Sequence, residues 1–310
     1  MQPTPPSTCA RPAARHPMQR IGAGLLLIAL GAAACTHAPL ARQDACRSRH
    51  VRTGEALVRV PFEVVDGRIY VQARVNGRGP FRFAVDTGAS GLARADASLV
   101  GALGLGVQGQ ATTSDGVQAA SVDTTHVDSL ELGGVTRRDL DVITRDYSSR
   151  KSPEAAFAGI LAREFFADGL LVIDYPRKTL SFGRTRALSP AADNVLTYER
   201  AFRVPVSIGA LQTEGNLDTG ANVSFVLPRS LYGQVAAGPL ERAGSGQLTN
   251  GNIETQRATI HGPFRIGGAR LSDVEVRVAD RFPELLVGAH ALEGFVLMID
   301  QRSKTIALCK

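Results

Sequence analysis

From about residue 57 onward the chain is written in short runs in which apolar and polar residues alternate. The plainest is RIYVQARVNGRGPFRFAVD, residues 68–86. A period of two sends successive side chains to opposite faces of a strand, so one face of each run is bound for a core. Asp66-Gly67 and Asn76-Gly77 punctuate this region. Such dipeptides supply the positive φ angles that a tight hairpin demands. FRVPVSIG (202–209), VEVRVAD (274–280) and FVLMID (295–300) read the same way. Helical spacing is confined to Asp96–Leu103, Pro228–Val235 and short turns after Gly159 and Gly288. Short strands with frequent turn signals predict an all-β fold with a few short helices, built as barrel-like units.

The pattern is also written twice. Asp86-Thr87-Gly88-Ala89 recurs as Asp218-Thr219-Gly220-Ala221, 132 residues on. Gly133-Gly134 recurs as Gly267-Gly268 at an offset of 134, and Gly159 is matched to Gly288 at 129. Ile173-Asp174 recurs as Ile299-Asp300, followed by RKTLSF in one copy and SKTIAL in the other. Landmarks that keep their order and nearly their spacing mark a tandem duplication. The copies span residues 55–186 and 197–310, with a linker at 187–196 around LSPAADN and an N-terminal linker at 36–54.

Composition narrows the class. The chain has 310 residues, 44% of them hydrophobic, enough apolar surface to exclude a disordered chain. Aromatic residues are 5% with no Trp, which predicts aliphatic cores. The formal charge is +6, and Arg11, Arg15 and Arg20 contribute to it from the first 35 residues, which contain no acid. No basic run with interleaved aromatics occurs, so nucleic acid is not an expected partner.

The N-terminus reads as an address. Ile21 to Cys35 carries no charge, follows Arg20 and ends in Ala32-Ala33-Ala34. Fifteen residues are too few to span a bilayer, which takes about 20, but the run has the form of a secretory signal peptide over residues 1–35. Met18 supplies an alternative start for it. Cys35 after three alanines resembles a bacterial lipoprotein box, although Ala32 stands where Leu is usual; lipidation at Cys35 and simple cleavage are the two readings. Either predicts export to the periplasm or cell envelope, with the membrane met only through that lipid. Once Cys9 and Cys35 are removed or consumed, Cys46 and Cys309 remain. An oxidising compartment would let them pair; two unrelated thiols are the other reading. There is no CxxC or HExxH and the six His are scattered, which predicts no metal site.

One Asp-Thr-Gly is an ordinary turn. Here both follow an apolar strand end (FAVD, GNLD), and both continue through Ala to a small polar residue, Ser90 or Asn222. On these residues the chain resembles the retropepsin/pepsin superfamily of aspartic proteases, as two retropepsin-like lobes fused in one polypeptide. The resemblance covers both copies. It implies two closed β-barrel lobes of the acid protease fold, Asp86 and Asp218 as a catalytic pair, and Thr87 and Thr219 bonding across the lobes. Gly88 and Gly220 would allow close backbone approach, and Ser90 and Asn222 would support the loops. Two carboxyls about 3 Å apart cannot both ionise and share one proton; the superfamily is the standard example. The implied substrate is a peptide or protein, with no cofactor, and the implied state a monomer with both lobes in cis.

Flaps over the cleft are expected 25 to 35 residues after each acid. Asp115-Gly116 lies 29 residues after Asp86 and Asn250-Gly251 lies 32 after Asp218; both are hairpin signals. Two flaps resemble a retropepsin dimer, whereas pepsins carry one with a Tyr, and no Tyr falls in either segment.

Other motifs lead elsewhere. Gly104 to Gly109 fits G-x-G-x-x-G but follows a helix-like stretch and precedes a strand, the wrong context for a dinucleotide. Ser90 has no nearby His to act as base. His126, His261 and His290 read as surface or core groups ahead of cleft residues, and Phe157, Phe165, Phe166, Leu170 and Leu171 read as core. Against an aspartic endopeptidase stand two other readings. One is a non-catalytic peptide-binding envelope protein on the same scaffold; the other is a structural lipoprotein reusing a stable β-fold.

Overall fold

A computed structural model of the chain describes residues 44–49, 54–149, 151–235 and 237–310. The signal segment, Cys35 and the start of the N-terminal linker lie outside the described residues. Among those described, strands form three sheets of six, eight and nine strands.

The eight- and nine-stranded sheets are the two copies. In the first, strand Arg78–Asp86 runs parallel to Gly159–Ala162, which pairs antiparallel with Ala93–Asp96; that strand in turn runs parallel to Val135–Arg145. In the second, Leu211–Asp218 runs parallel to Leu285–Gly288, which pairs antiparallel with Phe225–Pro228, itself parallel to Val274–Ala279. The connectivity is the same at every step, so each acid ends a central strand of its own sheet. Asp66-Gly67 and Asn76-Gly77 form the two hairpin turns around strand Arg68–Val75, all four residues with positive φ.

Register corrects one element of the repeat. Asp86 lies opposite Ala162, and Asp218 opposite Gly288. Ala162, not Gly159, is therefore the partner of Gly288. Backbone bonds agree: Ala162 N–H donates to Leu92 C=O at 3.1 Å, and Gly288 N–H to Ser224 C=O at 2.9 Å. A short helical turn follows each, Arg163–Phe166 and Ala289–Leu292. A Cβ on Gly288 would overlap Val223 and Ala221 carbonyls, whereas the first lobe accommodates Ala162 there, wholly buried.

The six-stranded sheet belongs to both copies. Its order runs Val58–Pro61, Thr179–Gly183, Leu170–Asp174, Val296–Asp300, Thr305–Cys309 and Val195–Thr197. At its centre Leu170↔Asp300 through Asp174↔Val296 join the lobes antiparallel. The expected barrels thus rest on a common third sheet, and the last residues of the expected linker 187–196 enter it as a strand. The glycine-rich stretch at 104–109 is a helix end: Gly104 at φ 65° caps Ala97–Leu103, and a strand follows from Val107.

Core filling departs from the aliphatic expectation. Phe83, Phe165, Phe166, Phe182, Phe202, Phe225 and Phe264 are all essentially solvent-free. Phe165 and Phe166 meet edge to face at 4.9 Å, and Phe225 stacks on Phe264 at 4.1 Å. Scarcity limits how many rings there are; their large apolar area still sends them inside. Cys46 and Cys309 form a disulfide with Cα atoms 5.4 Å apart, tying the turn Ala45–Ser48 to the last strand.

Candidate active site

The loops after the two central strands meet face to face. Thr87 N–H donates to Thr219 Oγ1 at 3.1 Å, and Thr219 N–H donates to Thr87 Oγ1 at 3.0 Å. Each hydroxyl then donates onward across the pseudo-twofold: Thr87 to Leu217 C=O at 3.0 Å and Thr219 to Val85 C=O at 2.8 Å. Both threonines are buried, at 2% and 0% exposed, so each of these bonds satisfies a group water cannot reach.

The glycines bring the acids together. A Cβ on Gly88 would lie 2.5 Å from Asp218 Cγ, and one on Gly220 would overlap Asp86 Cγ in the same way. Each carboxyl therefore occupies the space left by the opposite loop's missing side chain. Within its own loop, Asp86 Oδ1 accepts from Ala89 N–H at 2.9 Å and Asp218 Oδ1 from Gly220 N–H at 2.8 Å. Burial, and next the charge of Asp86, hold the Asp218 carboxyl well above the ordinary carboxylate range; the Gly220 N–H and the Arg68 charge act the other way. An acid in that position carries a proton at pH values where a free aspartate has lost it. The pair thus offers one carboxyl able to donate a proton beside another able to accept one.

Beyond the acids the site is not symmetric. Arg68, from the first lobe, donates to Gly220 C=O at 2.5 Å and to Asn222 Oδ1 at 3.0 Å. Asn222 Nδ2 donates to Asp66 Oδ2, and His290 Nε2 lies 3.1 Å from Asp66 Oδ1. The first hairpin of lobe one is thereby fastened to the acidic loop of lobe two. Ser90, at the position matching Asn222, is exposed and makes no hydrogen bond among the described residues, so the two polar residues after the DTGA motifs do different work. His126 and His261 contact the surface carboxylates of Asp141 and Asp273.

The two hairpins at 115–118 and 248–251 interlock. Asp115 to Gln118 turn between strands Val107–Ser114 and Ala119–Leu132; Leu248 to Gly251 turn between Glu241–Gln247 and Asn252–Ile260. Asn250 N–H donates to Asp115 Oδ2 at 2.8 Å, and Asn250 Nδ2 donates to Gln118 C=O at 2.9 Å and Thr113 C=O at 3.2 Å. Arg145 donates to Asn250 Oδ1 at 3.0 Å. Gly251 admits Gln118, whose amide would overlap any Cβ there. Val117 from the first hairpin packs against an apolar cluster of the second lobe that includes Ile253, Phe282 and Leu286.

Phe157 lies apart from the main core, in a small cluster with Ala89, Ile160 and Ala162 behind the Asp86 loop, against which Tyr147 packs. Sequence reading passed over Arg68, Arg94, Arg145 and Tyr147, which carry no local motif. The signal that could have found Arg94 is its alternation: in the strand Ala93–Asp96 its neighbours Ala93 and Ala95 join the main core, so Arg94 must face away from it. Among the described residues no group of three or more His, Cys, Asp or Glu gathers in a way that could hold a metal ion.

The sequence model of a family described as aspartyl protease matches residues 71–165 and 204–291, once in each lobe. No curated protein matches the chain.

Proposed function

The chain belongs to the aspartyl protease family, and from that premise we propose that it is a single-chain endopeptidase that hydrolyses peptide bonds with the Asp86/Asp218 pair. The reading rests on one observation above the others: each carboxyl is lodged in the gap left by the other loop's glycine. A binding protein has no chemical need to hold two carboxyls so close, since bringing like charges together costs free energy unless a proton is shared.

In this mechanism a water lies between the acids. The ionised carboxylate takes a proton from it as the oxygen attacks the substrate carbonyl carbon, while the protonated acid donates toward the carbonyl oxygen. The tetrahedral diol collapses as one acid gives its proton to the leaving nitrogen, the other takes a proton back from a diol hydroxyl, and the C–N bond breaks. No covalent enzyme intermediate forms, and the two acids end as a pair sharing one proton. Which acid holds that proton belongs to the pair as a unit. The hairpins at 115–118 and 248–251 act as flaps over the bound chain, and both must part to admit a peptide.

We further propose that the mature chain is exported and works as a monomer. The Cys46–Cys309 disulfide suits an oxidising compartment, and both acids come from one polypeptide. The test is cleavage of a peptide library across acid and neutral pH, read by mass spectrometry. Wild type should cut internal bonds, and Asp86→Asn and Asp218→Asn should each lose cleavage while keeping a cooperative unfolding transition. Undiminished cleavage by either variant would overturn the mechanism.

A further inference from the structure

The two lobes present unlike walls beside the acids, and register shows where they differ. Arg94 lies opposite Ile160 in the first lobe, and Val226 lies opposite Leu286 at the matching place in the second. Arg145 pairs with Asp96 where Ala279 pairs with Pro228. The duplicated fold therefore carries two guanidinium groups on one side of the site and two small apolar residues on the other.

Arg94 is unusual in more than its charge. It is only 7% exposed. Its Nε has no hydrogen-bond partner, and neither does the Tyr147 hydroxyl, also buried. No carboxylate pairs with Arg94 among the described residues. The carboxylate next but one, Asp96, is already engaged: Oδ1 caps the helix through Ser98 N–H at 3.0 Å, and Oδ2 accepts from Tyr147 N–H at 2.7 Å. Asp86, the other nearby acid, is held within its loop by Ala89. The Arg94 side chain comes close to the Tyr147 hydroxyl without a well-directed hydrogen bond, the charges of Arg94, Arg145 and Asp86 all reach that hydroxyl, and Arg145 lies 5.9 Å from the Tyr147 ring centre. A buried guanidinium nitrogen left without a partner, as Arg94 Nε is, is costly and rarely kept without a use.

The opposite wall is apolar and already shows what it accepts. Val117 from the first flap packs against the cluster formed by Ile253, Phe282 and Leu286, with Ala221 and Val223 from the loop after Asp218 beside it.

We propose, resting on the endopeptidase reading above, that Arg94 and Tyr147 form a specificity site for a carboxylate of the substrate. The preferred peptide then carries Glu or Asp on the side of the scissile bond that lies against the first lobe, and an aliphatic residue on the side that lies against the second. The carboxylate accepts from the Arg94 guanidinium and the Tyr147 hydroxyl, so Arg94 Nε and the Tyr147 hydroxyl gain an acceptor in the complex.

The test uses the full mature chain and pooled peptides that fix Glu, or its neutral isostere Gln, at one position at a time. Cleavage is read as kcat/KM. In parallel, binding of the same fluorescein-labelled pools to the Asp86→Asn chain is read by anisotropy, which needs no turnover. At one position Glu should be favoured over Gln by about 10- to 100-fold, the worth of one charge-assisted hydrogen-bonded pair. Arg94→Met should bring that ratio to about one, Arg94→Lys should restore part of it, and Tyr147→Phe should lower it several-fold. Tyr147→Phe also covers the case in which Arg94→Met does not fold. Equal treatment of Glu and Gln at every position overturns the proposal, as does a preference that survives Arg94→Met. If no pool is cleaved, the endopeptidase reading fails, and the binding ratio alone still decides whether Arg94 selects a carboxylate.

Discussion

Replacing Thr219 by Val keeps the branched shape of the side chain and removes only the hydroxyl. Two groups of the opposite lobe then lose their partner: Thr87 N–H, which donates to Thr219 Oγ1 at 3.1 Å, and Val85 C=O, which accepts from it at 2.8 Å. Both lie where water does not reach, since Thr87 and Val85 are each 2% exposed. An unsatisfied buried donor or acceptor costs about 1–3 kcal/mol, so the pair should cost about 2–6 kcal/mol. Thr219→Ser keeps the hydroxyl and should lose about 1 kcal/mol or less, the worth of one methyl group. Urea unfolding of the three chains measures both differences, and peptide cleavage measures whether the acids stay in register. Val should lose both stability and activity, whereas Ser should keep most of each. The reasoning is refuted if Val is within experimental error of wild type, or if Ser is as damaging as Val.

Three further outcomes follow from the same geometry. Gly88→Ala should drive a methyl group into Asp218 and lower kcat/KM by at least about 100-fold, the scale of a small displacement of catalytic groups, while circular dichroism shows the β-fold retained. Asp218 has its folded-state pKa raised by burial and by Asp86, so the native chain binds more protons than the unfolded one above about pH 4, and wild-type stability should fall as pH rises from there. Asp218→Asn removes that slope: chemical denaturation should find the variant the more stable at neutral pH, with the difference vanishing in acid. Reducing the Cys46–Cys309 bridge, or replacing both residues by Ala, frees a loop of 263 residues and should cost about 2–5 kcal/mol in the same assay.

Much of this arrangement is legible in the chain before folding. The hairpins at Asp66-Gly67 and Asn76-Gly77 show because their residues satisfy a local need for positive φ. The two DTGA loops show because duplication writes the same local requirement twice. What stays hidden is set between distant residues. Leu170–Asp174 and Val296–Asp300 are continuous apolar runs, buried throughout, and such runs do not tell which sheet they join; the shared six-stranded sheet follows from their pairing with each other. Gly159 stands three residues before the true counterpart of Gly288, because the first lobe carries Ala162 at that place and needs no glycine there. Arg68, Arg94 and Arg145 look like any arginine on a strand. Their roles depend on Asn222, Tyr147 and Asn250, which lie far along the chain, and on the orphaned Nε of Arg94, a property only of the folded state.

The most direct measurement is a proton-binding titration of the folded wild-type chain against the Asp86→Asn/Asp218→Asn double variant. If the acids share one proton, wild type holds one proton more than the variant over a plateau between the two ionisations of the pair, and releases it only above the ordinary carboxylate range. Loss of both protons together, near the pH at which free aspartates ionise, would contradict the account.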